Sequence, residues 1–192
     1  LQESPDDIEL LAEMSETLRV KHDYALARRY SERALAANVR HPAAVAARFR
    51  LHQAEGQQQQ AWDLARSAID PAQPSLELVR LLASSLYKEG QLDDAAKWYA
   101  LGAEHARHDV RWLKALASVH LKAGDTKRLR PLLEQLAACD PDDLAVRRKL
   151  VELALAAGDF AAAAGFAEAC LQIDVQDAAA HFALGESWRQ LN

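Results

Sequence analysis

Residues 88–103 read KEGQLDDAAKWYALGA: a glycine that closes one helix, a short polar turn, then an alanine-rich helix carrying two aromatics. Counting outward from Gly90 in equal steps lands on His22, Gly56, Gly124, Gly158 and Asn192. Glycine recurs at four of these turns, where it permits the left-handed backbone that ends a helix. Self-similarity at a period of about 34 residues marks an array of stacked helix–turn–helix units.

Composition agrees. Half of the 192 residues are apolar, 6% are aromatic, and the 7 glycines and 6 prolines are few enough for a nearly all-helical chain. Stacked repeats grow along a line and need no single central core. The net charge of −5 argues against nonspecific binding to nucleic acid or to an anionic membrane. No apolar run approaches the ~20 residues needed to cross a bilayer, so membrane insertion is not expected. Cys139 and Cys170 fall at different repeat positions and read as reduced, helix-packing thiols, which favours a reducing compartment such as the cytoplasm. The abundance of alanine fits a bacterial source. Leu1 is not an initiator methionine, and the chain reads as an excerpt.

In order, residues 1–7 look like the tail of a preceding repeat, because their closing Ser-Pro-Asp-Asp echoes Cys139–Asp143. Repeats of equal length then cover 8–41, 42–75, 76–109, 110–143 and 144–177, and residues 178–192 form the first helix of a sixth, in one continuous repeat domain. Within residues 76–109, Val79, Leu82 and Leu86, then Leu92, Ala95, Ala96 and Tyr99, mark two amphipathic stripes. Asp93, Asp94, Asp125 and Asp159 sit near the starts of second helices, where carboxylates suit the positive helix end. The pairs Asp6–Asp7 and Asp142–Asp143 begin helices and read as caps, and the Gln57–Gln60 run as a solvated turn.

These features resemble the tetratricopeptide repeat family. The small residues that the family places where the two helices of a unit meet appear as Ser15, Ala83, Ala117 and Gly185, then as Ala27, Ala61, Ala95 and Ala163, and again as Ala34, Ala68, Gly102 and Cys170. The resemblance implies an all-α, right-handed α-solenoid, or superhelix, of antiparallel helix pairs. The departures are bulky: Phe49 stands opposite Ala61, and Leu129 opposite Ala117, so each pair keeps one small member. Residues 110–143 depart furthest, with Leu129, Leu132, Leu133 and Leu136 in the second helix and Pro131 inside it. Proline lacks a backbone donor, which predicts a shifted helix start or a kink there, with the alanine-lined segment 161–170 packing alongside.

No enzymatic motif is present. His105 and His108 lack a third convergent ligand, and no phosphate-binding glycine loop or activated nucleophile occurs. His52 and His120 share one repeat position and are expected to be partly buried. We therefore expect no catalysis, no metal and no cofactor from this chain.

Function is expected on a surface. In the family, first helices line a concave groove, and the resemblance places Arg80, Lys114 and Arg148 in one column of it, extended by Arg50 and Arg111. Arg148 is expected to pair with Glu152, and Glu77 with Arg80, at helical spacing. Arg111 and Lys114 have no acidic partner on their own face, which makes them the leading candidates for partner contact. Glu9, Glu13 and Glu16 make the first helix acidic. The family's carboxylate-clamp members use asparagines that are missing here, and that activity is not carried over. The expected role is a non-catalytic protein–protein interaction scaffold, its centrally basic groove holding a protein or extended peptide with an acidic segment. The alternative is a regulatory or substrate-recruiting arm of a larger bacterial enzyme. Phe182, Leu184 and Trp188 leave the last helix open to dimerisation.

Overall fold

The structure, a computed structural model, describes residues 7–191. Every regular element among them is an α-helix. First helices of the units are α1 (Ile8–Val20), α3 (Pro42–Ala54), α5 (Leu76–Lys88), α7 (Val110–Ala123), α9 (Leu144–Ala156) and α11 (Ala178–Leu191). Second helices are α2 (Tyr24–Ala37), α4 (Gln58–Ala68), α6 (Leu92–His105), α8 (Thr126–Cys139) and α10 (Phe160–Ile173). Each helix begins one full period after its counterpart in the preceding unit, without a slip in register. The reading of residues 1–7 as a preceding tail falls, apart from Asp7, outside the described residues, and so does Asn192.

Turn chemistry explains this register. Gly56, Gly90, Gly124 and Gly158 have φ between 69° and 78°, and His22, at the same repeat position, adopts φ 62°. A left-handed residue there lets the next backbone N–H fold back onto the first helix, as when Gln91 N donates to Leu86 O at 2.9 Å and Asp125 N to His120 O at 3.0 Å. Aspartates start the helices that follow. Asp23, Asp125 and Asp159 cap α2, α8 and α10, while Asp7, Asp109 and Asp143 cap α1, α7 and α9 through side-chain acceptance of backbone N–H groups.

The chain divides into two compact units, residues 1–106 and 107–192. In the first, α1 packs on α2 and α3, α3 on α4 and α5, and α5 on α6. Small side chains permit the close approach: Ala27, Ala34, Ala61, Ala65, Ala83 and Ala95 are all fully buried. Phe49 is buried too, on the helix that faces Ala61. The buried serines are hydrogen-bonded. Ser15 donates to Ala27 O at 2.9 Å, and Gln53 and Trp62 both donate to Ser85 Oγ.

In the second unit, α7 packs on α8, α8 on α9, and α10 on both α9 and α11. Leu129, Leu133 and Leu136 form one cluster with Ala117 and Leu150. The alanine-lined α10 packs mainly on α9 and α11, through Ala164, Ala167, Val151, Ala180 and Ala183. Phe166 reaches back to the leucine cluster, and the Arg130 guanidinium lies over its ring at 5.8 Å. The expected shift at Pro131 does not occur. Helix α8 starts in register at Thr126 and runs through the proline to Cys139. Pro131 is exposed, so its ring faces solvent.

Candidate partner-binding surface

The cations singled out in the sequence are all on first helices, and acids tie most of them down. Arg148 Nε donates to Asp177 Oδ2 at 2.8 Å, reaching from α9 to the start of α11. Lys114 Nζ, on α7, meets Asp143 Oδ2 at the start of α9 at 3.5 Å. In the first unit Arg50 joins Glu77 at 3.0 Å, from α3 to α5. One design recurs: a cation on one first helix reaches the acidic start of the next. Second helices repeat it, with Arg66 bound to Asp94 and Arg130 to Asp159.

These contacts correct the pairing expected for Arg148 and the expectation that Arg111 and Lys114 lack an acidic partner. Arg148 takes Asp177, and Glu152 takes Lys149 at 2.6 Å. Glu77 engages Arg50 across the repeat boundary. Arg111 and Lys114 do have acidic partners: Arg111 folds back in two hydrogen bonds of 2.8 Å onto Asp109, and Lys114 reaches Asp143. Helical spacing could not reveal ties between residues 27 to 29 positions apart. Arg80 is exposed on α5. The Gln57 turn is also more than solvated spacer, since its side chain meets Nδ1 of buried His52 at 2.6 Å. Arg48 Nε donates to Nε2 of the same ring at 3.1 Å, so Nδ1 carries the proton.

The strength of the ties differs. Asp177 is 4% exposed and also accepts from the N–H groups of Ala179 and Ala180. The Arg148 guanidinium holds this carboxyl below the ordinary carboxylate range. Asp159 is lowered likewise, first by Arg130 and then by the Ala162 N–H. Lys114 is looser: its side chain is 53% exposed and its contact with Asp143 is long.

Beside Lys114 lies a feature that the sequence reading missed. First helices α1 and α3, α3 and α5, and α9 and α11 pack on one another, whereas α7 and α9 stand apart. Between them opens a cleft of about 390 Å³. Its floor is Ala117 with Leu129, Leu133 and Leu136 of α8. Ser118 and Leu121 form the α7 wall, Ala145 and Val146 the α9 wall, and Lys114, Asp143 and Lys149 the rim. Bulk is the cause: leucines replace the alanines that let neighbouring units close, so α8 holds the two first helices apart. The four-leucine run was the available signal, read in the sequence only as a source of irregularity.

Paired antiparallel helices in strict register, with exposed cations and an apolar cleft on first helices, define an α-helical repeat scaffold. Residues 110–153 match the family model of the tetratricopeptide repeat, and the helix–turn–helix unit of that segment recurs at the same period along the described chain. Its fold is similar to that of YrrB, described as "a TPR protein with an unusual peptide-binding site", at TM-score 0.62 and 13% identity over 93% of this chain and 92% of that one. A MamA RS-1 double mutant aligns at TM-score 0.62 and 15% identity, covering 90% of this chain and 98% of its own. PilF of Pseudomonas aeruginosa aligns at 0.58 and 14%, covering 96% and 85%. At these identities the likeness is one of fold. No curated protein sequence matches the chain.

Proposed function

We propose that the chain is a non-catalytic scaffold that holds an extended peptide, bearing an acidic segment, along a concave, centrally basic groove lined by its first helices. Arg50 and Arg80 contribute from the first unit, and Arg111, Lys114 and Arg148 from the second. The observation that carries the reading is Lys114: exposed, loosely paired, and set at the rim of an apolar cleft. Asp143 has an N–H of α9 as a second partner, Val146 N to Oδ1 at 3.2 Å, so Oδ1 stays hydrogen-bonded when Lys114 turns to a ligand carboxylate. Arg148 and Arg50 act first as inter-helix ties and offer their remaining N–H groups to a ligand.

Panning the protein against a phage-displayed library of random linear peptides tests this. Enrichment of Asp- and Glu-bearing sequences is expected, with binding lost in the Arg111→Gln, Lys114→Gln double variant. Equal capture by that variant, with its helicity intact, would remove the basic groove from the account.

We also propose that α11 mediates self-association, supported by Phe182 and Trp188, which are 74% and 52% exposed, whereas Leu184, expected on the same open face, is buried. Light scattering that shows a monomer at high concentration, for both the parent and Trp188→Ser, would end that proposal.

A further inference from the structure

The cleft between α7 and α9 differs in kind from the other first-helix junctions within each unit. There, neighbouring first helices close on one another, so a ligand would meet only their outward side chains. Here the wedge of Leu129, Leu133 and Leu136 leaves an apolar recess whose volume, about 390 Å³, exceeds that of a single large side chain. The side chains of its floor carry no polar atom to orient a polar ligand. Water held there would have few partners, and an apolar group that displaces it gains burial.

The rim sets what stands next to that group. Lys114 and Lys149 border the recess from opposite helices, the first meeting Asp143 and the second Glu152. An ammonium carries three donors, so both lysines keep N–H groups for a further acceptor. The Lys114–Asp143 pair spans the end of the recess, linking α7 to the start of α9. A ligand carboxylate can draw Lys114 away while Asp143 stays bonded to Val146 N–H.

We propose that this cleft is a specificity pocket for one large aliphatic or aromatic side chain of a bound peptide, with an acidic residue adjacent to it that engages Lys114. The proposal rests on the peptide-binding reading above and narrows it. It makes the departures in α8 functional: leucines that weaken helix-to-helix closure create the recess that selects the ligand.

The probes are peptides selected from the same phage library, resynthesised with a fluorescent label and titrated by anisotropy. Enriched sequences should place Leu, Met or Phe within a residue or two of Asp or Glu. Truncating that apolar residue to Ala should weaken binding about 10- to 100-fold, as expected for loss of a buried side chain. Ala145→Trp, at an exposed helical position on the cleft wall, should weaken it by as much with the melting curve unchanged. Ser118→Trp fills the recess from the α7 side, so a folding defect in one variant does not decide the matter. Lys114→Gln should cost less and flatten the salt dependence.

Peptides that bind both tryptophan variants as well as the parent would overturn the pocket. If those peptides are still lost in the Arg111→Gln, Lys114→Gln variant, peptide binding stands and only the cleft falls. Failure to enrich any peptide overturns both. A concentration-dependent dimer abolished by Ala145→Trp would show that a second copy fills the recess, and would also overturn the proposal.

Discussion

Arg148 on α9 and Asp177 at the start of α11 form a 2.8 Å charge-assisted hydrogen bond across a repeat boundary, and Asp177 at the same time caps the helix it begins. One carboxylate thus holds a helix start and the neighbouring helix together. Lys114–Asp143 and Arg130–Asp159 repeat the arrangement 29 residues apart. Stability of a stacked array is a sum of units and their junctions, so these ties act where the array is divisible.

Acid should therefore loosen the second unit in a specific way. Because Arg148 lowers the Asp177 carboxyl in the folded state, its stabilisation is present above the unfolded value, about 3.9. It disappears as pH falls through the lowered value. Arg148→Gln should then be less stable than the parent at neutral pH, with the gap narrowing below about pH 4. Urea denaturation of both proteins at neutral and acid pH measures it. A gap that does not change with pH would contradict the coupling.

Replacing His22 with glycine should stabilise the protein. His22 adopts φ 62° where the other turns have glycine, a conformation that costs a side-chain-bearing residue about 1 kcal/mol. Part of this gain is offset by loss of the His22–Tyr24 hydrogen bond at 3.0 Å. The net expectation is a gain of about 0.5 kcal/mol. Gly124→Ala should do the reverse by about 1 kcal/mol, although no neighbour would touch the added methyl. Thermal melts of the two variants should shift in opposite directions.

Bulk at the helix junctions should show opposite tolerances in the two units. Ala95 is fully buried on α6, as is Ala83 on α5, so Ala95→Leu is expected to cost about 1–3 kcal/mol by overpacking. In α8 the wedge is built in, and it is truncation that hurts: Leu129→Ala should cost about 2–3 kcal/mol. Denaturant midpoints decide both.

The cysteines should differ sharply in reactivity. Cys139 is exposed and Cys170 is buried, and burial pushes the Cys170 thiol up. An alkylating reagent should modify Cys139 in the folded protein and Cys170 only after denaturation, as mass spectrometry of tryptic peptides would show. Modification of both at equal rates would contradict this packing.

Much of the fold was legible because its determinants are local. Gly56, Gly90, Gly124 and Gly158 end helices through their own backbone freedom, and the aspartates that start the next helices act within one turn. The burial of His52 and His120 also followed from their repeat position. The ties of Arg148 and Lys114 were not legible, since helical spacing points to partners three or four residues away and the real partners lie a repeat further on. Nor was the intact start of α8, because Pro131 faces solvent, where its lost hydrogen bond is least costly.

By itself the sequence determined the period, the position of every turn and the class of array, because glycine, aspartate and alanine act within a single turn or a single helix pair. Which cation meets which acid, and that α7 and α9 part over the α8 leucines, was decided only by tertiary structure. Both depend on distances between helices, and those distances are sums of side-chain bulk contributed by residues far apart in the chain.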